Sequence, residues 1–159
     1  MSADTALDTL LAALERARPA LASRIVREVG AASARITSPR EASRDVVLWV
    51  DPGDDLGLGF GRGWHTHGNI AHWHRAGHPT EIDALVALVL AIVDGEIVLA
   101  RDVGGAFDGA ETILDHTEPD ALLEALTQRR APPRLLLLAW SGEGDREVGL
   151  DDLASGGEA

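Results

Sequence analysis

Apolar positions recur along this chain with two periods, and the switches between them divide it into elements. From Asp4 to Arg16, Leu7, Leu10, Leu11 and Leu14 fall on one face of a helix, with Asp4 placed to cap it. Pro19 ends that helix or opens another, in which Leu21, Ile25 and Val29 repeat every four residues as far as Gly30. This pattern predicts an N-terminal helix pair. After the polar segment Thr37 to Arg44, the run DVVLWV (Asp45 to Val50) has the branched and aromatic content of a buried strand and stops at the turn sequence DPGDD. Period two then takes over. Leu56, Leu58 and Phe60 alternate with Gly57, Gly59 and Gly61, so one face of the segment is apolar and the other carries no side chains. A glycine face lets something lie close to the backbone: a ligand or peptide in the functional reading, a neighbouring helix or a strongly twisted hairpin in the structural one. Neither the spacing nor a following lysine matches a phosphate-binding loop.

Further on, Ile82, Leu85, Val86, Val89, Ile92 and Val93 mark a strongly apolar central helix that stops at Gly95, with Thr80 and Asp83 as a capping box at its start. EIVLAR (Glu96 to Arg101) reads as a strand, Gly104 to Gly109 as a turn and Ala110 to Leu114 as the return strand. Thr117 and Asp120 suggest a capped helix through Arg129, with Leu122, Leu123 and Leu126 inward, ended by Pro132 and Pro133. LLLLAW (Leu135 to Trp140), the turn SGEGD and a short strand Glu147 to Leu150 complete the chain. This order predicts an α+β fold, a mainly antiparallel sheet covered by the N-terminal helix pair and two further helices. Residues 1–153 are expected to form a single domain, followed by a mobile tail, 154–159.

Composition narrows the chemistry. The chain has 159 residues, 45% of them hydrophobic, enough to close a core without disulfide or metal support. It has no cysteine, which excludes disulfides, thiolate metal sites and cysteine nucleophiles, and leaves His, Asp, Glu or backbone groups to hold any metal. The N-terminus lacks a basic start and a continuous apolar core, and the longest apolar run, Ala84 to Val93, is too short to span a bilayer, so a cytoplasmic location is expected. A net charge of −12 opposes phosphate contacts, so neither nucleic acid nor a membrane is an expected partner. Acidic groups such as Asp51, Asp54, Asp55, Asp151 and Asp152 are either a solvated surface or the face that meets a basic protein.

The densest chemistry lies between Gly61 and Thr80, GRGWHTHGNIAHWHRAGHPT, which holds five of the six histidines and two of the four tryptophans. Alternation puts His65 and His67 on one face of an extended segment, and His72 and His74 likewise. If GNIA, Gly68 to Ala71, is a hairpin loop, His67 faces His72 and His65 faces His74 with Cβ atoms about 5 Å apart, so four imidazoles share one patch. One divalent ion, zinc favoured, is the cofactor this patch could hold, with three histidines and a water leaving a catalytic position open; His78 or Asp83 could add a ligand. The competing reading has these histidines hydrogen-bonded to backbone or packed with Trp64, Trp73 and nearby carboxylates. A hydrolytic site also needs a general base, for which Glu41, Asp51 and Glu81 are available and unranked. Ser141, in WSGEGD, does not sit in a nucleophile elbow.

GWHTHG followed by PTEID resembles the JAMM-type metalloproteases and deubiquitinases. That resemblance implies zinc ligation by His65, His67 and Asp83, with Thr80 in the place of the family's serine. WHTHG before an apolar helix ending in DGEIV, together with AWSGEGDRE, resembles small bacterial proteins that share both elements, over residues 45–150. It brings no activity, but implies that Trp64, His65, His67, Trp140, Ser141, Gly142, Asp145 and Arg146 belong to one structural or functional unit. Asp145 and Arg146 form an ion pair, contact a partner, or serve a turn held by local hydrogen bonds. Two readings follow. The first is a small cytoplasmic bacterial protein whose His65, His67, His72 and His74 bind a metal, with hydrolysis as its activity. The second is a non-enzymatic acidic module of the immunity-protein type, anchored on a basic partner by aromatics such as Trp64 or Trp73.

Overall fold

The computed structural model describes residues 3–68, 77–118, 120–128 and 134–155. Internal contacts divide the chain into two compact units, Met1–Ala91 and Ile92–Ala159. The class is α+β, with one antiparallel sheet in each unit. Among the described residues no helix is long and apolar enough to cross a membrane.

The first unit opens with α1 (Ala3–Ala17), which buries Leu7, Leu10, Leu11 and Leu14 as its spacing requires. The second member of the expected helix pair does not form. Pro19–Arg24 is a 3₁₀ segment, and the chain then extends into β1 (Ile25–Arg27). Ile25 and Val26 are β-branched and favour extended backbone, while Val29 stands fully exposed and Gly30, at φ +79°, serves the turn to the next strand. A four-residue repeat of only three apolar positions could not separate these cases. β2 (Ser33–Ile36) was not signalled by a hydrophobic run, because only Ala34 and Ile36 face inward.

β3 (Val46–Asp51), β4 (Asp55–Phe60) and β5 (Trp64–His67) follow, and the five strands pair in chain order. The register sorts the two faces. Ala34, Leu48, Leu58 and Thr66 form one row across the sheet, and Ile36, Val46 and Phe60 belong to the next; all are buried. α1 lies against β3, and Asp8 of α1 pairs with Arg27 of β1. The opposite parity carries Trp49, Asp51, Asp55, Gly57, Gly59, His65 and His67 on the outer face.

The glycine face predicted for β4 is filled by a side chain of the adjacent strand. Trp49 is the register partner of Gly57, and a Cβ on Gly57 would stand 2.2 Å from Trp49 Cε2. The indole therefore lies on the backbone of β4, and only glycine leaves it room.

α2 (Glu81–Val93) begins with the expected capping box: the Asp83 N–H donates to Thr80 Oγ1 at 3.1 Å, and the Thr80 hydroxyl donates to Asp83 Oδ2 at 2.6 Å. In the second unit, β6 (Ile97–Asp102), β7 (Glu111–Asp115), β8 (Arg134–Leu138) and β9 (Arg146–Gly149) form a sheet in the order β7-β6-β8-β9. α3 (Ala121–Thr127) packs Ala121, Leu122 and Ala125 on a core of Val98, Ala100, Leu114, Leu126, Leu135, Leu137 and Val148. Leu123 is 48% exposed rather than inward, since it is rotated off the face shared by Leu122 and Leu126. Thr117 does not cap α3; its hydroxyl donates to Asp115 Oδ1, and the helix starts later, after Asp120. A final short helix, α4 (Leu150–Ser155), covers the start of the expected tail, and residues 156–159 lie outside the described residues.

Two expectations follow. Gly57→Ala should destabilise the protein by about 2 kcal/mol in urea unfolding, because the new methyl must displace the indole. In a Trp49→Ala background the same change should cost less than about 0.5 kcal/mol; equal costs in both backgrounds would show that the clash is not the cause. His116, just past β7, has its pKa lowered from 6.5, first by partial burial of the ring and then by Arg146, against the pull of Asp115. A depressed folded pKa favours the neutral ring, so this contribution is complete above about pH 6.5 and is lost as pH falls through the folded value. The effect is modest because much of the residue stays exposed. His116→Asn should flatten the acid-side loss of unfolding free energy relative to wild type, and parallel curves would count against it.

Candidate metal centre

Three strands of the first unit, joined by two turns, build a cluster on the outer face of its sheet. β3 and β4 are joined by Pro52, Gly53 and Asp54, with Gly53 at φ +97° and Asp54 at φ +64°. Asp54 is the only non-glycine residue with positive φ among the described residues, a conformation that aspartate tolerates better than most side chains. This tight turn makes Asp51 and Asp55 register partners, so two carboxylates face each other across neighbouring strands. A second three-residue turn, Gly61 to Gly63, pairs Phe60 with Trp64 and thereby sets His67 opposite Gly57. With no side chain opposite it, His67 makes its contact diagonally, towards Asp55 two residues along β4.

The resulting geometry is close. His67 Nδ1 lies 3.0 Å from Asp55 Oδ2 and 3.5 Å from Asp51 Oδ2. Nδ1 is a buried atom that makes no aligned hydrogen bond, although the shorter of these separations would permit one. One ligand atom from each of Asp51, Asp55 and His67 lies within 4.8 Å of the others. Two donors bound tetrahedrally to one ion at about 2.0 Å stand roughly 3.3 Å apart, so the His67 separations are those of neighbouring ligands in a coordination shell. Asp51, Asp55 and His67 could hold a metal ion. Their side chains are 41%, 42% and 33% exposed, which leaves one side of the cluster open to solvent.

Around the triad, the Trp49 Nε1–H donates to Asp51 Oδ2 at 2.9 Å. The rings of Trp49, His65 and His67 form a group, with centroids 6.3 Å apart for Trp49 to either histidine and 6.0 Å between the histidines. His65 is the most exposed of the three.

The residues singled out in the sequence divide as follows. His65 and His67 share a face, as alternation required. His72, His74 and Trp73, and with them the hairpin pairing of His67 with His72 and of His65 with His74, fall on residues 69–76, outside the described residues. Trp64 has the parity of the inner face, beside Phe60. His78 is half buried ahead of α2, and Asp83 uses its carboxylate on Thr80. Of the three candidate bases, Glu41 accepts from Arg44 Nε at 2.8 Å and Glu81 Oε2 lies against Gly68, whereas Asp51 is in the triad. Trp140 is buried at the end of β8, and Asp145 Oδ1 accepts the Ala139 N–H at 3.0 Å, a local turn contact; Arg146 is exposed on β9. These last three belong to the second unit.

No protein-family model matches the chain, and no curated protein or solved structure matches it.

Like charges directly opposite on paired strands are destabilising. In chelating buffer of low ionic strength at about pH 9, where imidazoles are neutral, Asp55→Asn should raise the melting temperature, equivalent to a gain of about 0.5 kcal/mol. A lower melting temperature would mean that the two carboxylates do not repel in the folded protein.

Proposed function

We propose that this protein binds one divalent metal ion through Asp51, Asp55 and His67, and that the ion, open on its solvent side, supports hydrolysis. The observation that carries the reading is the convergence of the three donors, with His67 Nδ1 turned on two carboxylate oxygens without an aligned hydrogen bond. Two oxygens and one imidazole nitrogen suit zinc, manganese or ferrous iron and offer nothing to a soft monovalent ion. Two carboxylates also balance the charge of a dication, which relieves the repulsion between Asp51 and Asp55. An ion held by three protein donors keeps room for a water and lowers its pKa. His65, exposed and on the same face, would be the candidate to accept a proton from such a water. The alternative, an acidic module for a basic partner, rests on the net charge of −12, and two of the aspartates it would use are turned towards His67.

Calorimetric titration of untagged, chelator-stripped protein with Zn²⁺ or Mn²⁺ should give one equivalent bound. His67→Ala, and separately the pair Asp51→Asn with Asp55→Asn, should weaken binding at least about 100-fold while circular dichroism stays unchanged. Absence of binding in the wild type would overturn the reading. Loss of binding in His72→Ala with His74→Ala, and not in His67→Ala, would move the ion to the histidine patch. Metal-dependent turnover of p-nitrophenyl phosphate or p-nitrophenyl acetate tests hydrolysis; a loaded protein inert to both would leave binding without catalysis.

A further inference from the structure

Trp49 is not one of the three donors, yet it bonds to Asp51 and stands beside His65 and His67. Its Nε1–H donates to Asp51 Oδ2, the same oxygen that lies 3.5 Å from His67 Nδ1. A carboxylate oxygen has two lone pairs, so the indole occupies one and leaves the other free to face the histidine. The indole itself has little freedom. Its Cε2, Cζ2 and Nε1 lie within 2.5 Å of the point where a Cβ on Gly57 would stand, and His65 and His67 stand beside the ring on its β5 side. Were Gly57 any other residue, the ring would be pushed off β4 and its N–H carried away from Asp51.

We infer that Trp49 is a positioning residue for the metal centre: the ring, seated on Gly57, holds Asp51 Oδ2 in the ligating orientation and so sets the affinity for the ion. This rests on the metal reading above. Partners that orient ligating carboxylates commonly contribute 10- to 100-fold in metal affinity. The half-exposed setting of this one points to the lower end.

The test pairs wild type with Trp49→Phe, which keeps a ring over Gly57 and removes the N–H. Zn²⁺ affinity should fall about 10-fold in Trp49→Phe, with the fold retained by circular dichroism. In ¹H–¹⁵N spectra of the wild type, the indole N–H signal of Trp49, identified by its absence from Trp49→Phe, should move on addition of one equivalent of Zn²⁺. A role confined to packing would leave the affinity unchanged. Wild-type protein that fails to bind Zn²⁺ and Mn²⁺ would overturn the metal reading itself. Wild-type protein that binds, with either an affinity in Trp49→Phe within about twofold of wild type or a stationary Trp49 indole signal, would overturn this inference alone.

Discussion

A missing side chain organises the outer face of the first sheet. Gly57 stands in the register between Trp49 on one neighbouring strand and His67 on the other. Any larger residue there would fill the middle strand and keep its two neighbours apart, each beside its own strand. Because Gly57 contributes nothing, Trp49 lies flat on the backbone and His67 leans along β4. Each then reaches an aspartate: Trp49 donates to Asp51, and His67 comes within 3.0 Å of Asp55. The cluster is thus a consequence of register and one absent Cβ, with the aspartates supplied by the turn between β3 and β4.

The arrangement is locally unfavourable and is tolerated because the other face of the same strands is not. Asp51 opposes Asp55, and Asp54 sits in the left-handed region, each a cost of order 1 kcal/mol. On the inner face Leu48, Leu58, Val46 and Phe60 are fully buried, and burial of each such side chain contributes roughly 1.5–3 kcal/mol. Period two in the sequence separates these tasks by residue parity. Inward residues hold the strands in register; outward residues are left to carry charge.

Much of this was legible in the sequence. The alternation of leucine and phenylalanine with glycine announced β4 and its bare face, the turn DPGDD was recognised, and His65 and His67 were expected on one side of a strand. The contents of the bare face were not foreseen, because Trp49 precedes it across a turn and local patterning does not say which neighbour a strand pairs with. Likewise the histidines drew attention to each other. Their dense spacing suggests pairing of His67 with His72, which lies outside the described residues. The register of β4 and β5 sets His67 beside Asp51 and Asp55, which the sequence offers as solvated surface, as a face for a basic protein and, in Asp51, as one of three unranked bases. Both connecting turns are three residues long, so counting back from each would have placed Gly57 between Trp49 and His67. No count would have supplied the diagonal lean towards Asp55. The predicted second helix failed for the opposite reason: Leu21, Ile25 and Val29 fit a helical period, but β-branched Ile25 and Val26 extend instead, and Val29 remains in water.

The two turns WSGEGD and DPGDD end up with different duties. WSGEGD is the more conspicuous, and its parts are used on itself: Asp145 accepts the Ala139 N–H, the Ser141 hydroxyl accepts the Glu143 N–H, and Gly142 and Gly144 adopt φ of +83° and +78° to close the loop. DPGDD is plainer, yet its first and last aspartates are aimed at His67 on β5. The difference lies in what stands opposite. A carboxylate beside backbone N–H groups accepts from them, as Asp145 does from Ala139. Asp51 and Asp55 sit on paired strands whose backbone groups are already bonded to each other, so their oxygens stay available to a side chain, or to an ion, arriving from across the sheet.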